Sequence, residues 1–309
     1  MTILILGTYN DPQVVHVQKL LSTQGHQTRI YDSQRFPTEY GIDFDVLNNQ
    51  CTLLVDNEAL SLGDIDAVYW HKFTPPSPAL REAGFPMAQQ NCQSALNILL
   101  HSTQVKWVNG VHAVRYHQSK PLQLAHASRL GASVAETLIS GNTNTLKQFV
   151  NTHLECIAKP VYGGAHAHRV KMGTLGGENC LGSEGGPITL QRYIAGTNIR
   201  TYVCGENCLS AELKSDHADF RSDNEAVATV HHLPMSVSQL ATKLCDQMGM
   251  RWGAIDWRLD NEGKYWFLEI NPAPYFLRVE HDTGLNISGM LVTELTQSTH
   301  SKNHSRLSA

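Results

Sequence analysis

Two apolar runs near the C-terminus, Trp252-Gly253-Ala254-Ile255-Asp256-Trp257 and Tyr265-Trp266-Phe267-Leu268-Glu269-Ile270-Asn271-Pro272, each carry a carboxylate among aromatic and aliphatic residues. The turn sequence Asn261-Glu262-Gly263 between them predicts a β-hairpin over residues 251–271. With the turn centred on the Glu262–Gly263 bond, Asp256 lies opposite Glu269, and Asn271 shares Glu269's face. Cross-strand partners have Cβ atoms about 4.5–5.5 Å apart, where like charges cost a few tenths to ~1 kcal/mol. Dehydration by Trp257, Trp266 and Phe267 adds to that cost, so a cation belongs beside the pair. Two carboxylates and an amide oxygen suit Mg²⁺, which takes one or two carboxylates and completes its shell with water and phosphate oxygens. The plain alternative is a solvated acidic pair. The apolar setting and Pro272, which ends the strand, argue against it.

A hard cation held by so few side chains implies a phosphate ligand, which directs attention to the basic residues. The chain has 309 residues, with 24 Lys and Arg against 28 Asp and Glu for a formal charge of -4, and no long basic run. That balance argues against binding nucleic acid by phosphate neutralisation, so each cation is weighed singly. Lys159 ends the apolar strand Cys156-Ile157-Ala158 and precedes Pro160-Val161-Tyr162-Gly163-Gly164, whose glycines let consecutive backbone N–H groups turn toward an anion. Lys120 opens a helix in His117-Gln118-Ser119-Lys120-Pro121, where free amides favour an anion. Arg200 and Arg221 carry planar guanidinium forks suited to phosphate or carboxylate, or to a structural ion pair.

The first 110 residues read as alternating strand and helix. Ile3-Leu4-Ile5-Leu6 is a buried strand, Asn10-Asp11-Pro12 caps a helix bearing Val14, Val17 and Leu21, and Gln27 to Asp32 returns as a second strand. Such a βαβ start implies a parallel sheet. Gly7-Thr8-Tyr9-Asn10-Asp11-Pro12 lacks the glycines of a dinucleotide site, which disfavours a nicotinamide cofactor. Short strands over 42–62, a strand at Ala67–Trp70 and a long helix from Glu82 to His101 complete the first lobe, 1–111. A second lobe, 112–187, holds helices, two strands and a glycine-dense stretch from Gly163 to Gly186, read as a mobile cover. A third, 188–309, holds further strands, a helix over 236–249 and the hairpin, with frayed residues from Thr299.

No window approaches eighteen consecutive apolar residues, and the N-terminus lacks the basic lead of a signal peptide. The seven cysteines are scattered without a CxxC pair, which suggests neither a disulfide framework nor a zinc site and fits a reducing cytoplasm. His166-Ala167-His168 could offer two imidazoles to a metal, though exposed loop histidines are the plainer reading; His231-His232 reads as simply exposed.

In order, Lys120, Lys159-Pro160 with Gly163-Gly164, Leu190-Gln191-Arg192-Tyr193-Ile194, Asn198-Ile199-Arg200, Phe220-Arg221-Ser222-Asp223, and Asp256 with Glu269-Ile270-Asn271-Pro272 resemble the ATP-grasp superfamily, in particular its RimK-like carboxylate-amine ligases. The similarity runs from about residue 112 to 295. It implies a mixed α/β and α+β chain, an ATP-grasp fold behind an N-terminal Rossmann-like lobe. It further implies that Lys120 and Lys159, with Gly163 and Gly164, contact ATP phosphates, and that Gln191, Arg192, Tyr193 and Ile194 form the adenine hinge, largely through backbone groups. Asp256, Glu269 and Asn271 become ligands of Mg²⁺, with Mn²⁺ an acceptable substitute. Arg221 and Ser222 sit near the phosphates, and Arg200 helps hold an acyl phosphate or an acceptor carboxylate. Two departures stand out. Asn198 replaces the usual Asp at the ribose side, and Asp223 replaces an Asn, adding negative charge near the triphosphate.

The first lobe is also similar to the peptide-modifying ATP-grasp maturases of ribosomal natural products, through Asp32-Ser33-Gln34-Arg35-Phe36-Pro37 and Val68-Tyr69-Trp70-His71-Lys72. That likeness implies a peptide substrate bearing acidic side chains to be joined to Lys, Ser or Thr; a plain loop is the alternative for Arg35–Pro37. The family chemistry converts a carboxylate to an acyl phosphate, releasing ADP, before an amine displaces phosphate. No protein nucleophile is needed, since positioning and charge neutralisation carry the transfer. The rival readings are an ATP-binding regulatory or scaffold protein without turnover and an ester- or amide-forming macrocyclase of a ribosomal peptide. Expected partners are a small-molecule or peptide substrate, no nucleic acid, no membrane, and a second copy of the chain in a homodimer, as among relatives. Nothing in the sequence encodes a recognisable preference for one acceptor.

Overall fold

β1 (Thr2–Leu6) is buried almost throughout, Ile3, Leu4 and Ile5 having no exposed surface, as befits a strand covered on both faces. The computed structural model describes residues 1–74, 76, 87–162, 167–170, 186–214 and 227–297. β1 lies inside a parallel sheet of order β2-β1-β6-β7, with β2 Gln27–Tyr31, β6 Ala67–Trp70 and β7 Lys106–Val108. α1 (Pro12–Thr23) starts where Asp11 accepts from the Gln13 N–H and Pro12 pre-sets the first turn, and it buries Val14, Val17 and Leu21. The expected helix from Glu82 is described as α2 over Ala88–Leu100; its proposed first turn lies outside the described residues. The meander over 42–62 is an antiparallel sheet of β3 (Gly41–Asp45), β4 (Gln50–Val55) and β5 (Glu58–Ser61).

The chain forms two compact units, Met1–Gly110 with Gly289–Ala309, and Val111–Ser288. The third lobe, expected over 188–309, loses its last segment: residues from Gly289, within a helix that begins at Ile287, group with the first unit, where Glu294 pairs with Lys106 at 2.9 Å. Hydrophobic runs mark that helix as buried, but only tertiary contacts decide which core receives it.

The second unit begins with α3 (Val111–His117) and α4 (Lys120–Arg129). Its first sheet has order β10-β9-β11-β8, with β8 Thr137–Ser140, β9 Cys156–Pro160, β10 His168–Val170 and β11 Ile188–Arg192. β11 was expected to open the third lobe; it instead pairs with β8 and β9, so the second lobe extends past residue 187. One face of this sheet packs Cys156, Ala158 and Leu190 on Leu146 and Val150 of α5 (Thr143–Thr152), whose N-cap is Asn142.

The second sheet has order β14-β13-β12-β15-β16, all antiparallel: β12 Thr197–Cys204, β13 Asn207–Lys214, β14 Val227–His231, β15 Trp252–Leu259 and β16 Tyr265–Asn271. Ile199, Val203, Ile255, Trp257 and Ile270 on one face form a single core with Leu124 and Ala127 of α4 and with Leu244 and Cys245 of α6 (Met235–Gln247). Each such buried side chain contributes about 1.5–3 kcal/mol. Gly196 turns the chain into β12 at φ +146°, where a Cβ would stand 1.9 Å from the Leu259 carbonyl oxygen, so glycine is required there. α7 (Leu277–Thr283) and α8 (Ile287–Thr296) close the described chain. Among the described residues no helix is long and apolar enough to cross a membrane.

Candidate active site on one face of a five-stranded sheet

Because strand side chains alternate, the face of the second sheet opposite α4 and α6 carries Asn198, Arg200 and Tyr202 of β12, Asp256 and Arg258 of β15, and Glu269 and Asn271 of β16. Arg200 lies in register with Asp256, and Asp256 with Glu269, so the three form one row across the sheet. The expected opposition of the two carboxylates is therefore present, but not for the expected reason. Next to the turn, Leu259 pairs with Tyr265 and Trp257 with Phe267, which centres the turn on Glu262 rather than on the bond after it. A β-bulge between the Trp257 and Asp256 pairs takes up Leu268 as an extra residue and restores the register of Glu269.

The cation required by that pair is supplied twice over. Arg200 Nη1 donates to both Asp256 oxygens, at 2.9 and 3.0 Å, and both side chains are almost fully buried. Burial opposes the guanidinium charge, yet Asp256, Tyr202 and Glu269 together outweigh it and raise the arginine's pKa. Lys120, in the first turn of α4, pairs through Nζ with Glu269 Oε2. Its ammonium also lies 3.4 Å from the ring nitrogens of His117, whose Nδ1 is 2.7 Å from the Ile270 carbonyl oxygen. Gln123, one helical turn beyond Lys120, donates to that carbonyl at 3.0 Å and accepts from the Ile270 N–H at 3.1 Å. It thus occupies the place of a neighbouring strand along β16 and sets the height of Glu269 against α4. Asn271 Oδ1 accepts from the Ala273 N–H at 2.9 Å, which orients the amide and leaves the oxygen a second lone pair.

The other expected residues come from the first sheet of this unit. Lys159 and Gln191 share the face turned away from α5, and Lys159 Nζ donates to Gln191 Oε1 at 3.2 Å while Gln191 Nε2 donates to Thr137 Oγ1 at 2.8 Å. Gln191 is thus held by its side chain as well as by the ladder. In the segment that follows, Tyr193 N–H donates to the Glu155 carbonyl at 2.9 Å and the Ile194 carbonyl accepts from Arg258 Nε at 3.0 Å. Those two backbone groups, part of the expected hinge, are already engaged within the protein. Arg192 pairs with Glu136 and lies 4.9 Å from the Trp266 ring centre.

Arg258, not anticipated from the sequence, braces this region. Besides Ile194, its Nη1 donates to Asn198 Oδ1 at 2.9 Å and its Nη2 to the Tyr193 hydroxyl at 3.1 Å. Asn198 thus serves as an anchor for Arg258, which explains how an amide can stand where a carboxylate was expected. A cavity of about 380 Å³ opens beside the row, reached by Arg200, Glu269 and Asn271 and walled by α7. Gly163, Gly164, Arg221, Ser222 and His166 lie outside the described residues. His231 is half-buried rather than simply exposed, its Nε2 2.7 Å from the Tyr265 hydroxyl, and burial pushes its pKa down.

The two N-terminal segments singled out in the sequence do structural work in their own unit. Arg35 bonds Glu39 through Nε at 2.8 Å, reaches Asp56 at 3.3 Å and covers the Tyr40 ring. His71, at the end of β6, has Nε2 2.9 Å from Asp11 Oδ2 and Nδ1 3.2 Å from both Gln13 Nε2 and the Tyr69 hydroxyl. Among the described residues no group of three or more His, Cys, Asp or Glu is placed to hold a metal, and the described cysteines are free thiols. Asp256, Glu269 and Asn271 offer a different donor set, two carboxylates and an amide oxygen, whose all-oxygen chemistry would suit Mg²⁺ joined by phosphate.

Residues 129–295 match the model of the RimK-like ATP-grasp domain. A D-alanine–D-alanine ligase of Psychrobacter sp. is 26% identical over 183 residues, 52% of this chain and 54% of that protein. A probable alpha-L-glutamate ligase of Picosynechococcus sp. is 28% identical over 114 residues, 35% of this chain and 38% of that protein. The match therefore spans about half, or less, of the length of these curated relatives. Among solved structures, macrocyclase MdnC bound with precursor peptide MdnA from Microcystis aeruginosa MRC superposes with a TM-score of 0.84 at 22% identity, covering 96% of this chain and 99% of that one. The ATP-grasp ligase PsnB complexed with minimal precursor, Mg and ADP gives 0.80 at 21% identity, covering 95% and 96%.

Proposed function

Because this chain belongs to the RimK-like ATP-grasp family, we propose that it is an ATP-dependent carboxylate-amine ligase, ADP-forming, whose carboxylate substrate is an acidic peptide. The observation that carries the reading is the row Arg200–Asp256–Glu269, extended by Lys120: two adjacent carboxylates are flanked by a cation at each end on one sheet face. A scaffold without turnover needs no such row, whereas phosphoryl transfer needs charge of both signs at one place.

In this reading Asp256, Glu269 and Asn271 hold magnesium, which supplies charge neutralisation for the phosphates. Lys120 and Lys159 act as point charges toward phosphate oxygens, Lys120 exchanging Glu269 for phosphate. Gln191 to Ile194 line the adenine, using groups other than the Tyr193 N–H and Ile194 carbonyl already engaged. Arg221 and Ser222 join the phosphate contacts. Arg200, paired with Asp256, helps hold the acyl phosphate. A substrate carboxylate oxygen attacks the γ-phosphorus, the bond to the β-phosphate oxygen breaks and ADP leaves. The amine nitrogen then attacks the acyl carbon, the carbon–oxygen bond to phosphate breaks, and the amine gives up a proton. The peptide class is supported by the precursor peptides bound in the structures of similar fold.

The test is release of ADP and AMP from Mg-ATP against pooled amino acids and acidic peptides, with Glu269→Gln as control. ADP formation that depends on an acidic peptide and is lost in the variant supports the reading. AMP formation overturns the acyl-phosphate route, and dependence on free amino acids alone overturns the peptide class.

A further inference from the structure

The cavity beside the metal-side residues has a second charged wall. Leu213 of β13, Val227 of β14, and Phe276 and Val279 at α7 make it apolar along its length, while Arg278 and Asp282 of α7 add one charge of each sign. At about 380 Å³ it suits the side chain of one residue, or two at most, rather than a whole peptide.

The two charges are unequally placed. Arg278 Nε stands 3.9 Å from Asp282 Oδ2, the limit of an ion pair, with the arginine side chain 54% exposed and the aspartate 22%. His281 approaches Asp282 Oδ1 at 3.1 Å with its ring 89% exposed. Water screens the arginine more than the aspartate, so the field inside the cavity comes chiefly from Asp282. At the other side, Glu269 is paired with Lys120 and the Arg200 guanidinium with Asp256, so that wall adds little net charge. Asp282 therefore favours a cation on an apolar stem, and Arg278, at 3.9 Å, stands where that cation would pair.

We propose that Asp282 is a specificity-determining residue that draws a primary ammonium of the lysine type into this cavity. It thereby selects an amine over a hydroxyl as the acceptor of the ligase reaction. A hydroxyl acceptor gains nothing from Asp282 and leaves the Arg278 contact in place. The inference rests on the ligase reading, but its test is equilibrium binding without turnover, so the two can fail separately.

The full chain in Mg-ADP is titrated by calorimetry with Nα-acetyl-lysine N-methylamide, its norleucine counterpart without the amine, and its glutamate counterpart. The lysine probe is expected to bind roughly tenfold tighter than the norleucine probe. Asp282→Asn should erase that margin and Asp282→Glu restore most of it. Arg278→Gln, which removes the competing cation, should tighten lysine binding a few-fold. This arm has the opposite sign to any loss of fold and stands alone should Asp282→Asn unfold. Equal binding of lysine and norleucine probes, or indifference to Asp282, overturns the proposal. So does preference for the glutamate probe lost in Arg278→Gln, which would make the cavity a carboxylate site.

Discussion

Asp256 and Glu269 face one another across β15 and β16 because Leu268 is taken up as a bulge. Without that extra residue, the pairing at the turn would set Leu268 opposite Asp256 and turn Glu269 toward the apolar face with Ile255 and Phe267. One added residue thus lets a strand read Phe267 into the core and Glu269 out of it, although they are two apart. Glu269→Gln keeps the shape and removes the charge. ADP formation should fall by at least about a hundredfold and the requirement for Mg²⁺ should shift to higher concentration. Magnesium titrations of ADP release check both. Stability should change by less than ~1.5 kcal/mol, because Lys120 keeps its place beside His117.

The buried Arg200–Asp256 pair makes a sharper statement about stability. Removing one partner leaves an uncompensated charge at a nearly inaccessible position, so Asp256→Asn should cost about 3–5 kcal/mol in urea unfolding. The double change Arg200→Met with Asp256→Leu should recover most of that loss while remaining inactive. Recovery of activity along with stability would mean that the row is structural only.

Arg258 gives a prediction about nucleotide rather than chemistry. It ties Tyr193 and Ile194 to Asn198 through three hydrogen bonds. Arg258→Met should release the segment and raise KM for ATP by roughly tenfold, the equivalent of about 1.4 kcal/mol of lost binding, with kcat nearly unchanged. Steady-state kinetics over ATP concentration decide it. A kcat loss at constant KM would place Arg258 in the transfer step instead.

These residues also show where the sequence is legible. Alternation along β15 and β16 puts Asp256 on one face, and the caps Asp11 and Asn142 and the prolines mark helix starts, because these signals are local. The partner of Arg200 is not local. β12 meets β15 only after the chain has made β13, β14 and α6, so a pattern that gives the face of a side chain does not give its neighbour. Gln123 reads as one more polar helix residue until β16 lies beside it, and Arg258 reads as a strand-end cation until Tyr193 arrives. The sheet that β11 joins is hidden for the same reason: its apolar run suits either core, and pairing with β8 and β9 decides. The bulge escapes altogether, since Leu268 carries no mark of being extra.

His71 supplies the pH dependence of the N-terminal unit. Burial pushes its pKa below the ordinary value, with Asp11 opposing but not reversing the shift. The hydrogen bonds agree with a neutral ring: Nε2–H donates to Asp11, and Nδ1 accepts from Gln13 Nε2 and the Tyr69 hydroxyl, a role a protonated ring could not fill. The unfolded chain binds the proton near pH 6.5, whereas the folded chain takes it up only at lower pH. More protons are then bound in the unfolded state, so stability from this residue is complete above about pH 6.5 and is lost as the pH falls below it, at up to ~1.4 kcal/mol per unit. His71→Gln, which keeps one donor and one acceptor without titrating, should flatten that part of the profile between about pH 7 and 5. Urea unfolding of both proteins across that range is the measurement. A contribution of opposite sign, with the histidine protein gaining stability over the variant as the pH falls from 7 toward 6, would show that the ring is charged in the folded state with Asp11 as its counterion.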